Sequence, residues 1–508
     1  MHTAQPLTWR ASASRALLTA ALVGFGTAAW AAETTGPSSA DSEQARHIVP
    51  ALSATQAATM APEMVQLIDK GRMVAIAADC AACHTVPESG QPFAGNYRLG
   101  SPLGEIVATN ITPSKTHGIG NYSEEDFSRA VREGVRKDGA HLYPAMPYDA
   151  YARMTDEDLH ALYTYTMQAV PAIDTPTDET ALPFPFNIRM SMAFWNALFV
   201  PTKGSFKEDS SKTPEWNRGA YLTEVLAHCT SCHTPRNALM AIDEARPLAG
   251  GYVGAWYAPN ISSDPASGIG GWTKEELVQY MQVGHVEGKG QAAGGMAEAI
   301  QNSLQFLPKE DLEAIATYVK DAKPMGGAQQ GKPVTERGAA FNAEDELRGQ
   351  TPYNHQDKVT SGMALFSANC ASCHQANGAG TPDQAYPSLF SNTATGRPEH
   401  ANLVATILFG VERKVGDKEV LMPRFDEKSF VDPLTNEEVA EISNYVLTHY
   451  GTPGEKVTPQ YVQQVREGNA GPTPLLIQAR PLMAPAMVVG LLIVLGVIVW
   501  LLRRRKKR

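Results

Sequence analysis

Apolar positions along this chain fall into short helical bursts separated by long polar loops rich in glycine and proline. In Met64–Ala77, Val65, Ile68, Val74 and Ile76 recur at helical spacing and predict a first helix. Ser123-Glu124-Glu125-Asp126 and Thr155-Asp156-Glu157-Asp158 each set a hydroxyl three residues before a carboxylate, the mark of a capped helix start. The second opens a helix through Leu159, Leu162 and Tyr163 to about Gln168. The pattern then returns. Ala108-Thr109-Asn110-Ile111 matches Ala258-Pro259-Asn260-Ile261, an offset of 150, and Gly118-Ile119-Gly120-Asn121-Tyr122 matches Gly268-Ile269-Gly270-Gly271-Trp272. Lys309-Glu310-Asp311-Leu312 echoes the last helix of the first copy. A shorter third copy lacks the Gly-Ile-Gly block but ends on another capped start, Thr435-Asn436-Glu437-Glu438.

The remaining stretches connect or terminate these copies. Pro171–Asn217 is mostly polar, but Phe184–Val200 is aromatic and apolar, so it reads either as inter-domain packing or as a docking surface for a partner. Residues 323–359 read as a second linker and 451–480 as a tether. At the start, Arg10 and Arg15, an apolar run and Ala29-Trp30-Ala31 predict a cleaved signal peptide over 1–31. At the end, Pro481–Leu502 carries no charge and would reach ~33 Å as a helix, long enough to span a bilayer. The six cations of 503–508 would stay cytoplasmic. The expectation is therefore a body on the periplasmic side of the inner membrane, anchored by a C-terminal transmembrane helix.

Composition narrows the class of partner. The formal charge is −10; without Arg10 and Arg15 it is −12, and without the six-cation tail −18. So acidic a body excludes nucleic acid and favours solubility or a complementary protein surface. Length, 508 residues with 42 glycines and 35 prolines, suits three loop-rich domains, predicted over 62–170, 218–322 and 360–450.

The candidate chemistry lies in the cysteines. All six occur in Cys80-Ala81-Ala82-Cys83-His84, Cys229-Thr230-Ser231-Cys232-His233 and Cys370-Ala371-Ser372-Cys373-His374. C-x-x-C-H is the attachment pattern of c-type haem. On a helix the two thiols and the histidine share one face, so the sulfurs can bond the haem vinyl groups while the imidazole reaches the iron. A zinc ribbon needs four grouped thiolates and a redox dithiol needs no histidine. The chain thus predicts three covalent c-type haems, with His84, His233 and His374 as iron ligands, in a mainly α fold of three tandem cytochrome c-like domains plus the transmembrane helix.

A six-coordinate electron-transfer haem needs a second ligand. Met422 is the methionine that follows the third motif before the tether, and it precedes Pro423, which favours extended backbone. Met146 precedes Pro147 in the same way, and the 150 offset carries it onto Met296 rather than Met281. Met154, His141, His285 and His400 are the alternatives, the histidines read as surface residues. Tyr122 and Trp272 occupy equivalent positions near a haem edge or in the core, and Arg236 is a candidate partner for a haem propionate.

These motifs together resemble a known family, the three-haem cytochrome c subunits of membrane-bound dehydrogenases of acetic acid bacteria and relatives. The resemblance rests on the three motifs, Thr109-Asn110-Ile111-Thr112-Pro113, Asp138–Tyr148 with its Pro144-Ala145-Met146-Pro147, and Gly294-Gly295-Met296-Ala297. It implies a non-catalytic subunit that takes electrons from a catalytic dehydrogenase subunit and passes them to ubiquinone. It also implies Met146, Met296 and Met422 as axial ligands. The Phe186–Asn196 stretch tilts the reading to an aldehyde dehydrogenase complex, in which a small iron–sulfur subunit is a further candidate partner; alcohol and fructose or polyol complexes are alternatives. Rival classes are a haem peroxidase and a cytochrome subunit of a terminal oxidase.

Overall fold

The computed structural model describes residues 39–483 apart from 87–88, 205, 327–330 and 343–360, with six isolated positions beyond. The predicted signal peptide lies outside the described residues, as does most of 481–508.

Each copy is built on one crossing of two helices. Pro62–Ala77 packs across Asp156–Gln168, Pro214–Tyr221 across Lys309–Asp321, and Gly362–Asn369 across Asn436–His449. A glycine sits at each crossing because no side chain fits between the backbones. A Cβ on Gly71 would lie 1.9 Å from the Ala161 carbonyl oxygen; on Gly219, 2.0 Å from that of Ala314; on Gly362, 2.4 Å from that of Glu441. One turn on, Tyr165, Tyr318 and Tyr445 flank the same glycines. The capped starts form where the sequence predicts: the Ser123, Thr155 and Thr435 hydroxyls each accept from a backbone N–H three residues on, and the carboxylates of Asp126 and Glu438, though not Asp158, close the box; Thr273 and Glu276 make the same box in the second copy.

The repeat offset is 148 at the crossing glycines, Gly71 and Gly219, and 149 at the motifs, Cys80 and Cys229, and that step has a local cause. Nine positions separate Gly71 from Cys80, but ten separate Gly219 from Cys229. Between the latter, Leu222–Leu226 forms one π-helical turn, which absorbs one extra residue without moving the motif off its helix end.

Strands are few. Four two-stranded hairpins occur among the described residues, the longest pairing Val411–Val415 with Lys418–Met422. The first two copies share one continuous core, in which Ile68, Ile76, Leu222, Leu226 and Leu312 are almost fully buried. The third copy has its own core around Val404, Leu408, Val439 and Tyr450, joined by Ala255 from the second. The stretch predicted as a tether folds back instead: Pro459–Arg466 is a helix, and Val457, Val462 and Val465 complete the third core.

The expected transmembrane anchor, and with it the expected inner-membrane location, is not upheld. Among the described residues no helix is long and apolar enough to cross a membrane. The longest, Pro62–Ala77, has 16 residues, about 24 Å, and carries Glu63, Asp69, Lys70 and Arg72. Past residue 474 the described helical residues are Leu475–Gln478 and 480–483, with isolated positions beyond.

Candidate haem-binding sites

The helix crossings deliver the three motifs. Pro62–Ala77 runs to Asp79, whose left-handed backbone (φ 50°) breaks the helix so that Cys80–His84 starts a fresh turn. His228 (φ 36°) does the same before Cys229–His233. In the third copy the break falls on Cys370, ahead of Ala371–His374. Each turn brings its cysteines and histidine to one face.

The histidines are held alike. Nδ1 of His84 lies 2.7 Å from the Thr109 carbonyl oxygen, that of His233 2.7 Å from Pro259 and that of His374 2.9 Å from Pro387. A carbonyl only accepts, so Nδ1–H is the donor and Nε2 keeps a free lone pair. This is the arrangement of a metal-ligating imidazole, fixed in tautomer and orientation by its other nitrogen. The carbonyls come from the Thr109-Asn110 and Pro259-Asn260 blocks that the repeat had marked.

The cysteines are all free and partly buried. Burial, with nearby acidic groups adding for the first pair, pushes the Cys80, Cys83, Cys229 and Cys370 thiols up to about 12. They are not thiolates at neutral pH, which argues against a thiol redox centre. Among the described residues no cluster of His, Cys, Asp or Glu could hold a metal ion by itself. Donors therefore fit a group that brings its own iron and bonds two neutral sulfurs and one imidazole.

Met146, Met296 and Met422 are partly buried, as is Met281, whereas Met154 is fully buried in the core. Met146 lies in the loop before Tyr148–Tyr151, Met296 in the first turn of Gly294–Asn302, and Met422 at the end of the long hairpin, paired with Val411. Of the histidines read as surface residues, His141 and His285 are half-buried and His400 is buried. Arg236 donates to the Ser231 carbonyl at 2.6 Å, inside the second motif. Trp272 is a core residue covered by Lys289, and Lys137 lies over Tyr122 in the matching place.

The sites are contiguous through reciprocal contacts. Tyr148–Tyr151, just after Met146, packs on Leu222–Leu226, just before the second motif. Tyr151 donates to the Ala78 carbonyl at 2.7 Å and meets the His228 ring edge-on at 5.5 Å. In return the Met296 helix, Gly294–Asn302, packs on Cys80–His84, and Tyr97 donates to Glu298. The same helix also packs on the strand Val411–Val415 of the hairpin that ends in Met422. Arg413 of the hairpin, 1% exposed, donates to the Ala292 carbonyl at 2.6 Å and to Gln291 at 2.9 Å. Sequence reading missed Asp79, His228, Glu298 and Arg413. The two left-handed positions align with each other in the repeat; the other two depend on contacts between copies, which leave no local signal.

Comparison with known proteins agrees with this geometry. The family model for cytochrome c matches residues 68–169 and 359–449. These are the first and third copies; the expectation of three such domains is thus matched for two regions, and the second copy stands on the internal repeat. The fructose dehydrogenase cytochrome subunit of Gluconobacter japonicus is 46% identical over 87% of this chain and 92% of that protein. The gluconate 2-dehydrogenase cytochrome c subunit of Pantoea cypripedii is 34% identical over 77% and 87%. The alcohol dehydrogenase (quinone) cytochrome c subunit of Gluconobacter oxydans (strain 621H) is 33% identical over 80% and 83%.

Proposed function

Because the chain belongs to the family of cytochrome c subunits of quinone-linked dehydrogenases, we propose that its three motifs each hold one c-type haem and that the three form a relay. The electron-transfer role, without a substrate-oxidising site, and a catalytic dehydrogenase partner follow from the family itself. Beyond that, Cys80 and Cys83, Cys229 and Cys232, and Cys370 and Cys373 would carry the haems. His84, His233 and His374 would bind iron on one side and Met146, Met296 and Met422 on the other. The haems supply the one-electron chemistry. The chain supplies spacing, ligands and exclusion of water. Its domains would run over 62–170, 218–322 and 360–450.

One observation carries this reading: the same Nδ1-to-carbonyl bond at all three histidines, the unmatched second copy included. A haem peroxidase would need an open iron position, whereas this reading assigns each motif a methionine as second ligand. The electron acceptor would be a quinone such as ubiquinone, as the quinone-linked alcohol dehydrogenase relative suggests. The substrate of the partner is better read from the 46% identity to a fructose dehydrogenase subunit, which favours a sugar or polyol over an aldehyde.

The test is to purify the complex and follow the haem bands anaerobically. Fructose or a related polyol should reduce them, and a quinone analogue should reoxidise them. Reduction by an aldehyde but not by any sugar or polyol would overturn the substrate reading. Rapid binding of carbon monoxide at every reduced haem would overturn the relay.

A further inference from the structure

Arg397 is a buried cation without a buried anion. It precedes the helix Ala401–Phe409 in the third copy and is 5% exposed. Its Nη1 donates to the Ser267 carbonyl oxygen at 2.9 Å, a neutral acceptor in the second copy, and its buried Nε has no partner. Among the described residues it forms no ion pair; Glu399, two positions on, influences its charge but lies beyond ion-pair distance. A guanidinium buried this way carries a large desolvation penalty unless an opposite charge stands nearby.

The bonds around it lead to the second motif. Ser267 accepts from Asn260 at 2.9 Å; Asn260 follows Pro259, whose carbonyl holds His233. On the other flank Asn402 bonds both the N–H and the carbonyl of Tyr257, at 2.9 Å each. The segment 397–402 thus clasps 257–267, the loop that orients His233.

We infer that Arg397, lent by the third copy, is the counter-charge for a propionate of the haem held at Cys229 and Cys232. This rests on the haem reading of that motif. A haem of this kind brings two carboxylates, and a positive charge fixed beside one of them stabilises the protein's anionic cofactor and favours the reduced iron. Arg397 is a positioning and charge-compensating residue that ties the potential of the second haem to the docking of the third copy.

The experiment is a redox titration of the full chain carrying Arg397→Gln or Arg397→Lys, after mass analysis of the peptide bearing Cys229 and Cys232. The titrating step of the second haem is identified as the one displaced by Met296→Ala. Arg397→Gln should lower that step alone, cutting its reduced-to-oxidised ratio at fixed potential about tenfold, or about 59 mV. Arg397→Lys, which keeps the charge, should hold it within a small fraction of that shift. An unmoved step, a shift in another haem, or equal shifts in both variants would overturn the inference while leaving the haem reading intact. A haem-free peptide would overturn both.

Discussion

The helix crossings give the sharpest physical prediction. Gly71→Ala places a methyl 1.9 Å from the Ala161 carbonyl oxygen and 2.7 Å from Tyr165 Cβ. Ordinary carbon contacts are about 3.5 Å, so the helices must part by roughly 1.5 Å. Alanine raises intrinsic helix stability by up to about 1 kcal/mol. Against that, overpacking costs about 1–3 kcal/mol, and a gap of even 1 Å forfeits a quarter to a half of each dispersion contact along the seam. Ile68, Leu162 and Tyr165 are buried at or beside that seam. The net expectation is a loss of about 1–3 kcal/mol, or a melting temperature lower by roughly 2–12 °C, because the first two copies share one large core. Thermal unfolding followed by circular dichroism measures it, with Gly271→Ala as control because nothing lies within 4 Å of its Cβ position. Since Pro62–Ala77 leads straight into Cys80, the variant should also weaken the absorption band of a methionine-bound haem. A variant as stable as the parent would refute the packing argument, whatever the haem content.

Other expectations follow from single contacts. Met422→Ala should lower the potential of one haem, remove its methionine–iron band and open that iron to carbon monoxide; an unchanged spectrum would refute the assignment. Gln305 is fully buried, donating to the Gln301 and Lys414 carbonyls and accepting from the Gly416 N–H, so Gln305→Leu should cost about 1–3 kcal/mol and speed proteolysis at the hairpin Val411–Met422. Thr435→Ala removes a capping box and should destabilise the third copy by about 1 kcal/mol, seen in its hydrogen exchange.

Much of this was legible in the chain because it is local. Capped helix starts and Cys-x-x-Cys-His turns are set within five residues, and the 150-residue repeat carried Met146 onto Met296. The π-helical turn at Leu222–Leu226 adds one residue ahead of the second motif, and no local pattern announces it. What the sequence hid depends on tertiary contact. The fold-back of Pro459–Arg466 looked like a tether because Val457, Val462 and Val465 are too sparse to signal a core. His400 looked like a surface residue because polarity was the visible property, but it packs against the fold-back segment at Gly454; Arg397 and Arg413, which nothing local singles out, are buried where the third copy meets the second. The aromatic stretch 184–200 proved divided: Trp195 is buried against Tyr148 and Ala241, while Met190, Phe194 and Leu198 face outward.

The central claim is a relay of three haems in one chain, and the second copy, outside the cytochrome c family match, is where it is most exposed. An anaerobic reductive titration of the purified chain, paired with mass analysis of its haem peptides, addresses it directly. Three electrons per chain, with haem on the peptides containing Cys80, Cys229 and Cys370, is the predicted result. Two electrons per chain, with an unmodified Cys229 peptide, would contradict it.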